Sequence, residues 1–165
     1  MHRLSAEIEI GGRLASASVA KVCAAIAAAN VSRSWGDALL VPESVADLLE
    51  VVDEAGHLHL YSESARDGEF PDLEACLVQL GLPYNRSAEA DGMSDAELAA
   101  FRSGRALCRL LVGADREPRV ELETVRQAIA AIEGGRGEVA VAALRSAAGL
   151  DLEPLPPFEI EGQTP

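Results

Sequence analysis

The chain has 165 residues, enough for one domain with a substantial core, and 48% of them are hydrophobic while only 4% are aromatic. The formal net charge is −13; such a surface repels nucleic-acid phosphates, and so few rings cannot build the stacking platforms that single-strand binding uses. No stretch approaches the about eighteen apolar residues of a membrane span, and "MHRLSAEIEI" lacks the apolar run of a signal peptide, so the expected compartment is the cytoplasm.

Residues 4–10 alternate, with Leu4, Ala6, Ile8 and Ile10 on one side and Ser5, Glu7 and Glu9 on the other. That is the pattern of a half-buried strand, and Gly11 and Gly12 end it. Ser16 or Ser18 is placed to cap a helix whose apolar stripe is Val19, Val22, Cys23, Ile26 and Ala27. Residues 38–41 form a short apolar run that reads as a strand stopped by Pro42. Ser44 and Asp47 have capping-box spacing, which starts a second helix with Val45, Leu48, Leu49 and Val52 inward. Asp47, Glu50, Asp53 and Glu54 point outward from it, and Gly56 ends it.

"GHLHLYSESARDGEF" (56–70) then places Leu58 and Leu60 on one strand face, with His57, His59, Tyr61 and Glu63 on the other. Gly68 is the joint of the next turn, and Pro71 opens a helix with Leu73, Leu77 and Leu80 inward and Gly81 at its end. "PYNRSAEA" reads as a further strand. Residues 94–104 fit either a short helix, from Ser94 and Glu97, or one arm of a hairpin turning at Ser103 and Gly104. The alternation of Ala106, Cys108, Leu110 and Val112 favours the hairpin. Residues 115–118 read as a turn, and 120–122 extend the sheet. A helix from Glu123 has Val125, Ile129 and Ile132 inward; "GGRG" breaks it, and a second, alanine-rich helix follows over 139–148. The proline-stiffened tail is either pinned to the core by Phe158 and Ile160 or frays.

This order implies an α+β fold with helices on one face of a sheet. The expected form is a ferredoxin-like, split βαβ core over 1–122, with the first and third strands adjacent in its centre. A helical hairpin over 123–150 packs on this core, and an extended tail covers 151–165. Cys23, Cys76 and Cys108 are odd in number, widely spaced and set among apolar neighbours, as expected of buried reduced thiols.

The charge is unevenly placed. Fifteen acids between Asp37 and Leu98 face only Arg66 and Arg86, so this segment carries the whole net charge of −13. One basic cluster follows, Arg102, Arg105 and Arg109, which serves either as a contact patch or as partners for the chain's own acids.

"DGEFPDLEACLVQLGLPY" (67–84), "FRSG" (101–104) and "PLPPFEI" (154–160) together resemble a family of short, uncharacterised bacterial proteins carried on plasmids, phages and integrated elements. Its pattern is Gly-Glu-Phe, Leu-Glu and Gly-Ile-Pro-Tyr or close variants, then Phe-Arg-Pro-Gly and a Pro-Pro-Phe-Glu tail. Leu82 departs from it in place of Ile, and Ser103 in place of Pro. The resemblance implies no activity. It implies a mobile-element setting, in which small acidic proteins inhibit host nucleases.

Three kinds of chemistry follow. His57 and His59, with Glu7 and Glu9 across a neighbouring strand, form a zinc-type donor set if the strands pair; otherwise they are polar side chains of a wet face. No GxSxG, P-loop or GxGxxG is present, "GGRG" follows a helix rather than a strand, and Glu63, Asp67 and Glu69 are an unspecific run of acids. No catalytic residue and no cofactor is therefore expected, zinc being the one metal alternative. The leading expectation is a non-catalytic interaction protein that binds the basic surface of a nucleic-acid-handling host complex through Asp47, Glu50, Asp53, Glu54, Glu63, Asp67 and Glu69. The alternative is a small enzyme or metal-binding protein using the His57/His59 face.

Overall fold

The computed structural model describes residues 2–90, 96–113 and 117–163. It is a mixed α+β protein built on an antiparallel sheet of five strands, ordered β3-β1-β4-β5-β6. In chain order the elements are β1 (Arg3–Ile10), β2 (Gly12–Leu14), α1 (Val19–Ala28), α2 (Val45–Leu49), β3 (Leu58–Arg66), α3 (Pro71–Leu80), β4 (Tyr84–Ala88), β5 (Ala96–Phe101), β6 (Cys108–Val112), α4 (Leu122–Glu133), α5 (Gly137–Ala147) and β7 (Phe158–Ile160).

Alternation decides the faces. In β1, Leu4, Ala6, Ile8 and Ile10 are buried while Ser5, Glu7 and Glu9 are half-exposed. The register carries the same division across the sheet: Leu60, Ile8, Arg86, Ala99 and Arg109 line up on one face, and Tyr61, Glu7, Ser87 and Leu98 on the other. α1 and α3 cover the first face through Val19, Val22, Cys23, Ile26, Leu73 and Leu77. α3 is framed by Pro71 in its first turn and by Gly81 in the left-handed conformation at its C-cap.

β1 and β3 are neighbours as expected, but β3 is an edge strand rather than a central one. β3 and β4 run parallel with β1 between them, and α3 connects the two. Residues 38–41 are not a strand. Leu39 and Val41 are exposed, and only Leu40 reaches the core. The connection instead seals the edge of β3 through paired backbone bonds between Ser32 and Tyr61 of 2.7 and 2.9 Å, which protects an otherwise open strand.

The Ser44–Asp47 capping box is complete. The helix it starts is only five residues long, with Leu48 buried and Leu49 exposed. Ser18 occupies the N-cap of α1 without a side-chain cap bond, and the Ser16 hydroxyl donates to the Glu161 carbonyl instead. The 96–112 stretch is a hairpin of β5 and β6; Ser94 and residues 115–116 lie outside the described residues. Residues 120–122 add no strand, because α4 begins at Leu122.

α4 and α5 follow one another across Gly134, Gly135 and Arg136 and share a small cluster of Ala128, Ala131, Ala140 and Leu144. The smaller alanines face inward, and Ile129 and Ile132 are 51% and 55% exposed, against the expectation that they point in. Ridges of alanine let two helices approach closely, which turns the larger side chains outward. Cys23 and Cys76 are buried free thiols that burial keeps protonated, whereas Cys108 is only partly buried.

The tail belongs to the core. β7 pairs in parallel with β2, and Phe158 and Ile160 join the main cluster. Gly11 permits this, since a Cβ there would lie 2.0 Å from the Pro156 carbonyl oxygen.

Two arginines hold these pieces together from inside. Arg86, on the covered face of β4, is 1% exposed. It donates to the Gly68 carbonyl at 2.7 Å and to Glu97 at 2.6 Å. Its Nε lies 3.0 Å from Glu74 Oε1 without being aimed at it, so that contact is ionic rather than a hydrogen bond. Glu74 also accepts from the Phe70 amide and the Tyr84 hydroxyl, tying α3 to the turn before it and to β4. Arg102, 6% exposed, spends its guanidinium on the carbonyls of Tyr84, Phe101 and Glu153 and on Asn85 Oδ1. It fastens the tail to the end of β5.

Truncating one member of the buried set strands the others without water. Arg86→Ala is expected to cost about 3–5 kcal/mol in urea unfolding, whereas Arg86→Ala combined with Glu74→Leu recovers part of that loss. Arg102→Ala is expected to cost about 2–3 kcal/mol, and Arg102→Lys fails to restore it because an ammonium cannot span the same fork of carbonyls.

Candidate functional site

The sequence-derived acids have definite places. Asp47 Oδ2 accepts the amides of Glu43 and Ser44, and those bonds hold its carboxyl below the usual range. Glu50 pairs with Arg33 at 3.0 Å. Asp53 accepts the His57 amide at 2.8 Å. Glu63 accepts the Gly36 amide. Asp67 has a positive φ of 52° and accepts the His2 amide. Glu69 pairs with Arg109 at 3.0 Å. Each of these six carboxylates helps to hold the fold, and Glu54 is exposed.

The basic trio is used in the same way. Arg102 is buried, Arg105 pairs with Glu153 at 2.6 Å, and Arg109 bridges Glu69 and Glu97. Those two carboxylates raise the Arg109 pKa, Glu69 contributing most. These are pairings with the chain's own acids rather than a free basic patch.

The motifs behind the family resemblance converge on the two buried arginines. Gly68, Glu69, Glu74 and Tyr84 belong to the Arg86 cluster, Arg102 follows Phe101, and the tail motif delivers Phe158 to the core. Burial first, and Glu74 second, push the Tyr84 phenol far above its ordinary pKa, so it serves as a neutral donor.

The open face of the sheet is different. β1 and β3 are antiparallel with Glu9 opposite His59 and Glu7 opposite Tyr61, so the two histidines and two glutamates named above share one surface. The structure divides them. His59 Nε2 lies 3.3 Å from Glu7 Oε2, and Glu7 Oε1 also accepts from the Ser87 hydroxyl. His57 stands apart, its Nε2 3.1 Å from the Leu155 carbonyl, and its ring groups with Glu9 and Asp53. Helical spacing points Asp53 outward with the other partner-binding acids, but α2 ends at Leu49 and the turn at 53–56 folds Asp53 back against the strand.

A groove of about 460 Å³ lies on the same face. Its floor includes Ala96, Leu98 and Val112, and its polar lining is Glu7, Glu9, Asn85, Ser87 and Glu89. Among the described residues no lysine or arginine lines it. Asn85, Ser87 and Glu89 are legible in "PYNRSAEA" as the alternate positions to Tyr84, Arg86 and Ala88, the signal that a strand reading alone leaves unused.

Comparison with models of known protein families, with curated proteins and with solved structures finds no match to this chain. Among the described residues no helix is long and apolar enough to cross a membrane.

The His59–Glu7 pair gives the face a pH dependence. Glu7, more than any opposing effect of burial, raises the His59 pKa above its ordinary value of 6.5. A raised folded pKa means that the charged pair contributes its full stability below pH 6.5 and loses it as pH rises through the folded value. The expected result is that Glu7→Gln lowers unfolding free energy at pH 5.5 and that the gap to wild type narrows by pH 8. Denaturant melts across pH, with an NMR titration of the His59 ring, measure both.

Proposed function

We propose that the protein is a non-catalytic binding module whose open sheet face receives a basic segment of a partner protein. The observation that carries this reading is the groove over β1, β4, β5 and β6, with an apolar floor and three glutamates and without a basic side chain among the described lining residues. An arginine or lysine matches that surface in both parts: its methylene stem covers Leu98 and Val112 while its charged head meets Glu9 and Glu89. The net charge of −13 steers such a partner toward the molecule before contact. Proteins that hold nucleic-acid phosphates carry basic surfaces, and they are the partner class the reading favours, in keeping with an inhibitor that acts in the cytoplasm.

The contact is assigned to the sheet face rather than to the acids of residues 47–54. Asp47 and Asp53 are committed to backbone amides, and Glu50 to Arg33. A carboxylate already hydrogen-bonded to its own chain gains less from an added cation than one that faces a groove.

Isothermal titration with a short arginine-rich peptide is expected to show binding that weakens about tenfold or more between low and physiological-to-high salt. Glu89→Lys with Leu98→Lys, both remote from the Arg86 cluster's own side chains, is expected to abolish it. Glu50→Lys with Glu54→Lys is expected to reduce it only modestly. The reverse ranking of the two double variants places the contact on residues 50–54 and overturns the assignment.

A further inference from the structure

We propose that Glu9, Asp53 and His57 form a binding site for a divalent first-row transition-metal ion, zinc being the ion their donor set suits best. The three groups come from separate elements. Glu9 is on the central strand β1, His57 immediately precedes β3, and Asp53 lies in the turn that leads into it. One ligand atom from each lies within 4.8 Å of the other two, and all three residues are half-buried. Tetrahedral zinc, with bonds of roughly 2.0–2.1 Å, holds its ligand atoms about 3.3 Å apart, a contraction that side-chain rotation supplies.

Two further features point to a cation. His57 is oriented as metal-bound histidines are. A carbonyl oxygen only accepts, so Nε2 donates its proton to Leu155 at 3.1 Å, and Nδ1 is the ring nitrogen left for an ion. Glu9 and Asp53 are also two neighbouring carboxylates that, among the described residues, no arginine or lysine neutralises. Asp53 uses Oδ1 on the His57 amide, so Oδ2 remains for an ion. One imidazole with two carboxylates is a borderline donor set, suited to zinc and poorly suited to magnesium, which favours oxygen alone. Three protein ligands leave further positions to water.

The site shares Glu9 with the groove but does not depend on the binding reading, and it is tested without any peptide. Zinc titration by calorimetry, cobalt(II) absorption in the visible range and thermal melts with each ion and with magnesium form the experiment. The expected result is one zinc per chain, a tetrahedral or five-coordinate cobalt spectrum, a raised melting temperature with zinc and none with magnesium. His57→Ala and Asp53→Asn are each expected to lose about tenfold or more in zinc affinity. Asp53→Asn keeps an oxygen for the His57 amide, and circular dichroism establishes that both variants are folded. His59→Gln is expected to leave zinc affinity within about twofold of wild type, since its ring belongs to Glu7. Absence of zinc heat and of a cobalt spectrum with wild type overturns the site, as does unchanged affinity in either His57→Ala or Asp53→Asn. Zinc binding that fails in His59→Gln but persists in His57→Ala moves the ion to the other pair and overturns this one.

Discussion

One buried positive charge organises the molecule. Arg86 lies on the apolar side of β4, where its guanidinium has almost no access to water. A charge so placed is tolerable only when its hydrogens and its field are answered locally. The answers come from Gly68 in the turn before α3, Glu74 in α3 and Glu97 in β5. Glu69 approaches to 3.8 Å, and Arg109 in β6 offsets the resulting excess of carboxylates. A helix, a turn and three strands are thereby fixed to each other by a requirement of desolvation, in addition to the hydrophobic contacts of Leu73 and Leu77. Gly68 has its own part, because a Cβ there would lie 2.5 Å from Ala88 Cβ and its φ is 72°. The turn must approach β4 closely for its carbonyl to reach the guanidinium.

The acidic composition has an architectural use as well as an electrostatic one. Carboxylates cap α2, close the 53–57 turn, anchor the 34–37 loop and surround Arg86. What remains for a ligand is concentrated where the sheet has no helix over it at the strand centres. Covering one face with α1 and α3 and leaving the other polar is the usual economy of an antiparallel sheet. Here the polar side also carries a depression, which a flat solvated face does not.

Much of the fold was legible from local chemistry. Strict alternation over 4–10 gave β1 and both of its faces; Ser44 with Asp47, Pro71 and Gly81 marked helix ends that the structure keeps. The failures share a cause, which is that burial is decided by partners distant in sequence. Residues 38–41 are apolar enough for a strand, yet β1 already fills one side of β3 and Ser32 takes the other at Tyr61, so no place in the sheet is left. Ile129 and Ile132 have helical spacing, but alanine against alanine brings α4 and α5 together. Arg86 hides behind its charge: polarity marks it as exposed, although alternation with Tyr84 and Ala88 points it inward. The histidine and glutamate face followed from the same alternation once β1 and β3 were paired. Asp53 did not, because helix spacing aimed it at solvent and only the turn brings it home.

The parallel pairing of β2 with β7 joins residues 12–14 to residues 158–160 across almost the whole chain. During translation, Leu14 is made early and waits for Ile160, and Arg102 waits for the Glu153 carbonyl. A chain synthesised only as far as residue 150 therefore has a bare apolar seam beside β2 and an arginine short of acceptors until residues 153–160 are added. The closing step is a late, long-range docking event, slow by the entropy of the loop it seals. Residues 153–160 look like an appendage in sequence but complete the core that residues 12–14 begin.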